Sequence, residues 1–423
     1  MTVWRPSPVE IRRGILALVV ALYYGALCWH PGWMRLLGVD HFGVWFLDTH
    51  ALLAASDAHA LGMNPNVTNP LDFFHQPHVY SNWWFALHWF GLDRIDHFWL
   101  GATLGFVFLL VAILQVGVRT NRELFLSAVT LTAPSIVLGF NRGNADLFIF
   151  IILAAAVPCL LSSRAVVRWS VLAVILFATG LKFYPVLAGF ILLGTDRTRR
   201  EKLAQVTVFL VLLLLLAIQQ WSAVERYTAA EAPSGLFTFG AGAIAQLLDV
   251  PGGTGNIVAA VIAIGSTIFW WRVAPSYSIP EERKADFLKF ILGAALLTGC
   301  YLLTMNYAYR RVFAIFMTPF LWWTWGAPYL GPVWFRHVSR VTGFLLIALL
   351  WLDGFACLGI NLFTNLSQAQ ITTLSDRWML AQQPFVAAVR IGLLAFLVPF
   401  VRDSIRAMRF PPPSGAAAAG DST

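Results

Sequence analysis

Apolar residues run through this chain in blocks of about 15–22 positions, close to the length an α-helix needs to cross about 30 Å of hydrocarbon. The blocks are continuous and do not alternate with polar positions, so they predict helices and not the strands of a membrane barrel. They fall near 12–30, 97–118, 123–140, 145–162, 169–181, 183–194, 203–220, 255–272, 287–304, 311–327, 341–360 and 388–402, about twelve segments. The pattern defines an all-α, polytopic bundle over residues 1–410, followed by a Pro- and Ala-rich stretch, 411–423, expected to be a disordered tail. The pair 169–181 and 183–194 is too short for two ordinary spans. It reads as short helices broken at Lys182-Phe183-Tyr184-Pro185, where the proline has no N–H to continue the ladder.

Composition agrees with lipid as the solvent: 58% of the 423 residues are hydrophobic and 12% are charged, half of the roughly 25% usual in soluble domains. Most of the basic residues sit in every second connection, from Arg5, Arg12 and Arg13 through Arg197–Lys202 to Arg402, Arg406 and Arg409. By the positive-inside rule this predicts a plasma (inner) membrane protein with both termini cytoplasmic. The net charge of +8 follows from that bias and carries no nucleic-acid partner with it. Cys28, Cys159, Cys300 and Cys357 lie in or beside apolar segments without metal-ligand spacing and read as buried thiols. The first segment is too long for a cleaved signal and reads as a retained span.

Nine basic residues defy the bias: Arg35, Arg94, Arg142, Lys182, Arg226, Arg310, Arg311, Arg377 and Arg390. Charge at a membrane edge is a functional hypothesis by default. The first outer loop, 31–96, is the longest. Its stretch VWFLDTHALLAASDAHALG carries Asp48 and spaces its apolar residues like an amphipathic helix lying along the membrane face. His75, His78, Tyr80, Trp83 and Trp84 follow it, as sugar contacts or as an interfacial aromatic belt. The turn Asn141-Arg142-Gly143-Asn144-Ala145-Asp146 holds a cation, two amides and an acid. Arg142 and Asp146, four apart, would pair as a clasp, or the cation beside a helix start would hold a phosphate. Lys182 marks the helix break, and Arg310 and Arg311 share the next outer turn.

One acid and several cations thus fall on one predicted face. That set suits transfer from a lipid-linked phosphosugar, with cations on the leaving phosphate and the acid deprotonating an acceptor hydroxyl. A transporter or flippase for an anionic substrate would use the same cations. A polysaccharide ligase would place its large loop later in the chain, and a scaffold leaves the charge cluster unexplained.

The order of Asp48, NRGNADLFIF, LKFYP and YAYRRVFAIFMTPFL resembles glycosyltransferase family 87, over about residues 40–325. That family comprises C-fold membrane enzymes using polyprenyl-phosphate sugars, mannosyltransferases among them. The chain departs from the family's pattern at Asn141 and at Arg311. The resemblance implies an inverting hexosyltransferase with Asp48 as general base. Arg142, Lys182 and Arg310, with Arg311 beside it, would hold the donor phosphate. Asn144, Asp146, Tyr184, His78, Tyr80 and Tyr309 would shape the substrate site. The implied partners are a polyprenyl-phosphate-linked sugar (mannose first), a lipid or glycan acceptor and membrane lipids. No ligand cluster for a metal stands out, so a metal-independent reaction is expected, a divalent ion being compatible with it.

Overall fold

The computed structural model describes residues 6–39, 43–194, 198–229, 238–239, 253–276, 279–303, 306–326, 331–362 and 368–409. The expected tail, 411–423, lies outside them. Among the described residues the regular structure is helical apart from one two-residue antiparallel pair, β1 (Thr238–Phe239) with β2 (Asn306–Tyr307), in the register Thr238↔Tyr307.

Several of the helices start where short polar side chains satisfy free N–H groups. Helix α1 (Pro8–Trp29) opens with Ser7 and Glu10 in a reciprocal capping box and Pro8 at its first position. After α2 (Leu47–Ala60) and α3 (His97–Gln115), Thr120 caps α4 (Asn121–Leu131) by accepting from the Glu123 N–H. Pro134 then begins α5 (Pro134–Arg142), bent 49° from α4. Next come α6 (Ala145–Ala154), α7 (Ala156–Leu161), α8 (Ala165–Lys182), α9 (Arg199–Gln219) and α10 (Trp221–Ala229). The last five are α11 (Gly253–Val273), α12 (Lys284–Leu303), α13 (Ala314–Thr324), α14 (Val333–Leu362) and α15 (Gln368–Arg409).

Each of the predicted apolar segments is helical over its described part. Among the described residues six helices are long and apolar enough to cross a membrane, or seven if the bent α4–α5 pair is one span. Turns at Gly143-Asn144 and Ala155 keep α6 and α7 short, and Phe183 parts α8 from the segment after it. The expected break after Lys182 is present: Phe183 takes φ +49°, and a 3-10 helix, Tyr184–Gly194, replaces the α-helix. The segment before it is longer than predicted, since α8 runs a full 18 residues.

Aromatic side chains fill the centre. Phe150 of α6 stacks on Phe316 of α13 with ring centroids 4.3 Å apart, and Phe290, Phe320 and Phe396 join α12, α13 and α15. At one end of the bundle arginines donate to carbonyls that helix ends leave open. Arg12 reaches Val118 O at 2.8 Å, Arg122 reaches Trp322 O at 3.1 Å, and Arg402 reaches Ala274 O at 2.8 Å. These are residues of the biased connections, so the sequence asymmetry becomes a physical end of the molecule.

Helix α2 differs from its predicted form. It is buried on most of its circumference, including Thr49, His50, Leu53, Ser56 and Ala58, and packs between α3, α5 and the 3-10 turn Asn82–Phe90. Its small residues Ala54, Ala55 and Ala58 allow the close approach that an interfacial helix does not need.

Candidate active site

The site is assembled on the tight turn between α5 and α6. Gly143 adopts φ +56°, and a Cβ there would collide with Thr49 Oγ1 and press on Phe46, so only glycine fits. The first turn of α2 docks onto this turn: Phe46 N donates to Asn141 O at 2.9 Å and Thr49 Oγ1 donates to Gly143 O at 2.7 Å. That docking brings Asp48 to Arg142. The guanidinium donates to Asp48 Oδ1 through Nε at 2.9 Å and through Nη2 at 2.6 Å. Asn144 Nδ2 donates to the other oxygen at 2.5 Å.

Arg142 and Asp146 therefore do not form the clasp considered above. Asp146 instead accepts from Lys182 Nζ at 2.5 Å and from Tyr184 Oη at 2.9 Å, and Arg310 Nε stands 3.6 Å from its second oxygen. Asn144 belongs to both groups. As N-cap of α6 its Oδ1 accepts from Asp146 N at 2.8 Å, and Lys182 Nζ lies 3.3 Å from the same atom. The rings of Tyr80 and Tyr309 cover Lys182, with Nζ 4.8 and 5.6 Å from their centroids, and Arg310 lies over Tyr184.

Beside this network opens a cavity of about 600 Å³, lined by Asp48, Arg142, His78, Tyr80, Tyr307 and Arg226 among others. Its wall carries two cations. Arg142 was predicted; Arg226 is one of the residues defying the charge bias, had no role assigned, and donates to Asn82 at 2.9 Å. Lys182 and Arg310 do not line the cavity but lie behind Tyr80 and Tyr184, buried against Asp146. Asp72 lines it too, and its carboxylate accepts from the N–H groups of Phe74 and Gln76, fixing that turn.

His78 is buried and bonds to Ser81 O at 3.1 Å; burial pushes its pKa down to about 4. It is neutral at physiological pH and presents no charge to an anion. His75 is exposed at φ +53° and lies off the cavity. Trp83 packs against Gly180, and Trp84 donates to Leu181 O at 3.1 Å, so both fasten the loop to α8.

Arg311, which the resemblance set beside Arg310, lies away from the cavity. It is 1% exposed, pairs with Asp353 of α14 at 2.6 Å, and donates to Leu349 O and to Gln382 of α15. A sequence signal for this was Asp353 itself, an acid inside an apolar run. Among the described residues no group of three His, Cys, Asp or Glu side chains could hold a metal ion.

Comparisons with family models, curated proteins and solved structures give no match to this chain. Fold and composition define the class, a multi-pass helical membrane protein with a polar, partly buried site at one end of its bundle.

Proposed function

We propose that this protein transfers a hexose, mannose first, from a polyprenyl-phosphate donor to a lipid or glycan acceptor at the outer membrane face. The observation that carries this reading is the Asp48–Arg142 pair on the wall of a cavity of about 600 Å³ that holds a second cation, Arg226. The donor phosphate draws on Arg142 and Arg226, charge-assisted donors well suited to phosphate oxygens. As Arg142 turns to the phosphate, Asp48 is left facing an acceptor hydroxyl. The hydroxyl oxygen attacks the anomeric carbon, its proton passes to Asp48, and the sugar–phosphate C–O bond breaks with inversion. Polyprenyl phosphate leaves, its charge met by the same guanidinium groups. Lys182 and Arg310 act behind this layer by neutralising Asp146, so that the site as a whole stays cationic.

The second reading, a transporter for an anionic lipid, draws on the helix break at Phe183. Against it, Lys182 ends an 18-residue helix, about 27 Å from its start, so the cations gather at one end of the bundle and not half-way along it. The experiment is sugar transfer by the purified protein in nanodiscs, given radiolabelled polyprenyl-phosphate mannose and host lipid extract. Labelled product that disappears with Asp48→Asn supports the transferase. Binding of polyprenyl-phosphate sugars without any product moves the assignment to transport.

A further inference from the structure

Arg390 lies within α15, 5% exposed, and among the described residues no carboxylate comes within ion-pairing distance of it. Lys182, Arg310, Arg311, Arg168 and Arg402 each have one. The Arg390 guanidinium instead stacks on the Tyr301 ring, 3.5 Å from its centroid, and its buried Nε has no hydrogen-bond partner. The Tyr301 hydroxyl in turn donates to Gln383 at 3.1 Å. An unneutralised cation in apolar surroundings is among the costliest groups to bury, and such groups persist where an anion comes to meet them.

A groove of about 330 Å³ begins one turn away. It runs between α11, α12, α15 and the 184–194 turn, and it is apolar apart from Thr267 and Thr298, whose Thr298 hydroxyl is buried without a partner. On α15 its wall is Leu394, Leu397 and Val401; with Arg390 these positions share one helix face. On α12 Thr298 lines it, and Tyr301 follows three residues on, on the same face. Arg390 and Tyr301 thus stand together at one mouth of the groove. At its far end Arg402 is tied to Trp271 O and Ala274 O, about 18 Å from Arg390 along the helix. Helical side chains lean toward the N-terminus, which carries the Arg390 head further from Arg402 and toward a membrane boundary.

We propose that this groove and Arg390 form a binding site for one anionic phospholipid, whose phosphate meets Arg390 and whose acyl chain lies along Leu394, Leu397 and Val401. A headgroup of net charge −1 cancels the charge of the Arg390 guanidinium. A zwitterionic headgroup brings its own ammonium to the same place and does not. The site is independent of sugar transfer.

The test is native mass spectrometry and thermal unfolding of the full chain, delipidated in detergent and titrated with phosphatidylglycerol or phosphatidylcholine. The wild type should retain one phosphatidylglycerol per chain and unfold at a higher temperature with it, phosphatidylcholine having little effect. Arg390→Gln should weaken that retention about tenfold or more. Ala295→Phe, which fills the groove and leaves Arg390 in place, should do the same. Equal retention of both lipids by the wild type, or no rise in its unfolding temperature with phosphatidylglycerol, overturns the proposal without recourse to a variant. Unchanged phosphatidylglycerol retention in either folded variant also overturns it. Displacement of phosphatidylglycerol by polyprenyl phosphate at equal concentration overturns the phospholipid assignment in favour of the carrier.

Discussion

Lys182 Nζ and Asp146 Oδ1 meet at 2.5 Å with neither side chain exposed to solvent. The ammonium comes from the last residue of α8 and the carboxylate from the first turn of α6, so the contact fixes the break in the chain against the start of another helix. A buried pair of this kind is worth little against a well-packed apolar replacement, but removing one partner leaves an uncompensated charge. Asp146→Leu, which takes the shared carboxylate from both Lys182 and Arg310, should destabilise the protein by about 3–5 kcal/mol. The double variant Lys182→Met with Asp146→Leu should recover part of that loss, read as the unfolding midpoint in detergent. Equal loss in the single and double variants would show that the pair does not act as a unit.

Asp48 and Arg142 offer a test that separates chemistry from binding. Asp48→Asn retains shape and an acceptor oxygen while losing the base, and should lower turnover about 10²–10⁴-fold with little change in apparent donor affinity. Arg142→Lys loses the two-pronged geometry that the guanidinium shows toward Asp48, and should raise the donor KM more than it lowers kcat. Steady-state kinetics with polyprenyl-phosphate mannose distinguish the two patterns.

His78 gives the first loop a pH response. Its pKa in the folded protein, about 4, lies below the ordinary imidazole value of 6.5. The unfolded chain therefore binds the proton more readily between these values, and stability rises with pH across that window. The contribution is fully present above pH 6.5 and is lost as pH falls toward 4, on the order of 3 kcal/mol. Replacing it with glutamine should reduce this slope in unfolding curves taken from pH 4 to 7, His50, which burial also holds down to about 4, supplying the remainder. An undiminished slope in the variant would assign the response to another group.

At Gly143 alanine meets two obstacles, a left-handed backbone and the side chains of Thr49 and Phe46. Gly143→Ala should cost about 1–3 kcal/mol and loosen α2 from the 141–146 turn. Limited proteolysis should then cut within residues 43–96 at enzyme levels that leave the wild type intact.

The long apolar blocks, the break at Lys182-Phe183 and the charge asymmetry were legible because each is local: hydrophobicity, a proline and a run of arginines state their effect within about one helical turn. Pairing was not. Arg142 and Asp146 stand at helical spacing, yet Gly143 in its left-handed turn ends one helix and starts another between them, and each finds a partner remote in sequence. The burial of α2 was hidden in the same way. Its apolar stripe reads as interfacial, while Ala54, Ala55 and Ala58 on its other faces mark close packing. Arg226 was visible as an anomaly, but its place on the cavity wall depends on Asn82, 144 positions away.

The Arg311–Asp353 pair has a bearing on how the molecule is made. The two residues are 42 positions apart, and chains grow at roughly 5–20 residues per second. Arg311 is therefore synthesised about 2–8 s before the carboxylate that neutralises it, and Gln382 follows later still. A nascent chain ending before α14 holds a guanidinium that its own helices cannot yet bury. The earlier part of the bundle must then wait, open or attended by the insertion machinery, until its last two helices arrive to close it.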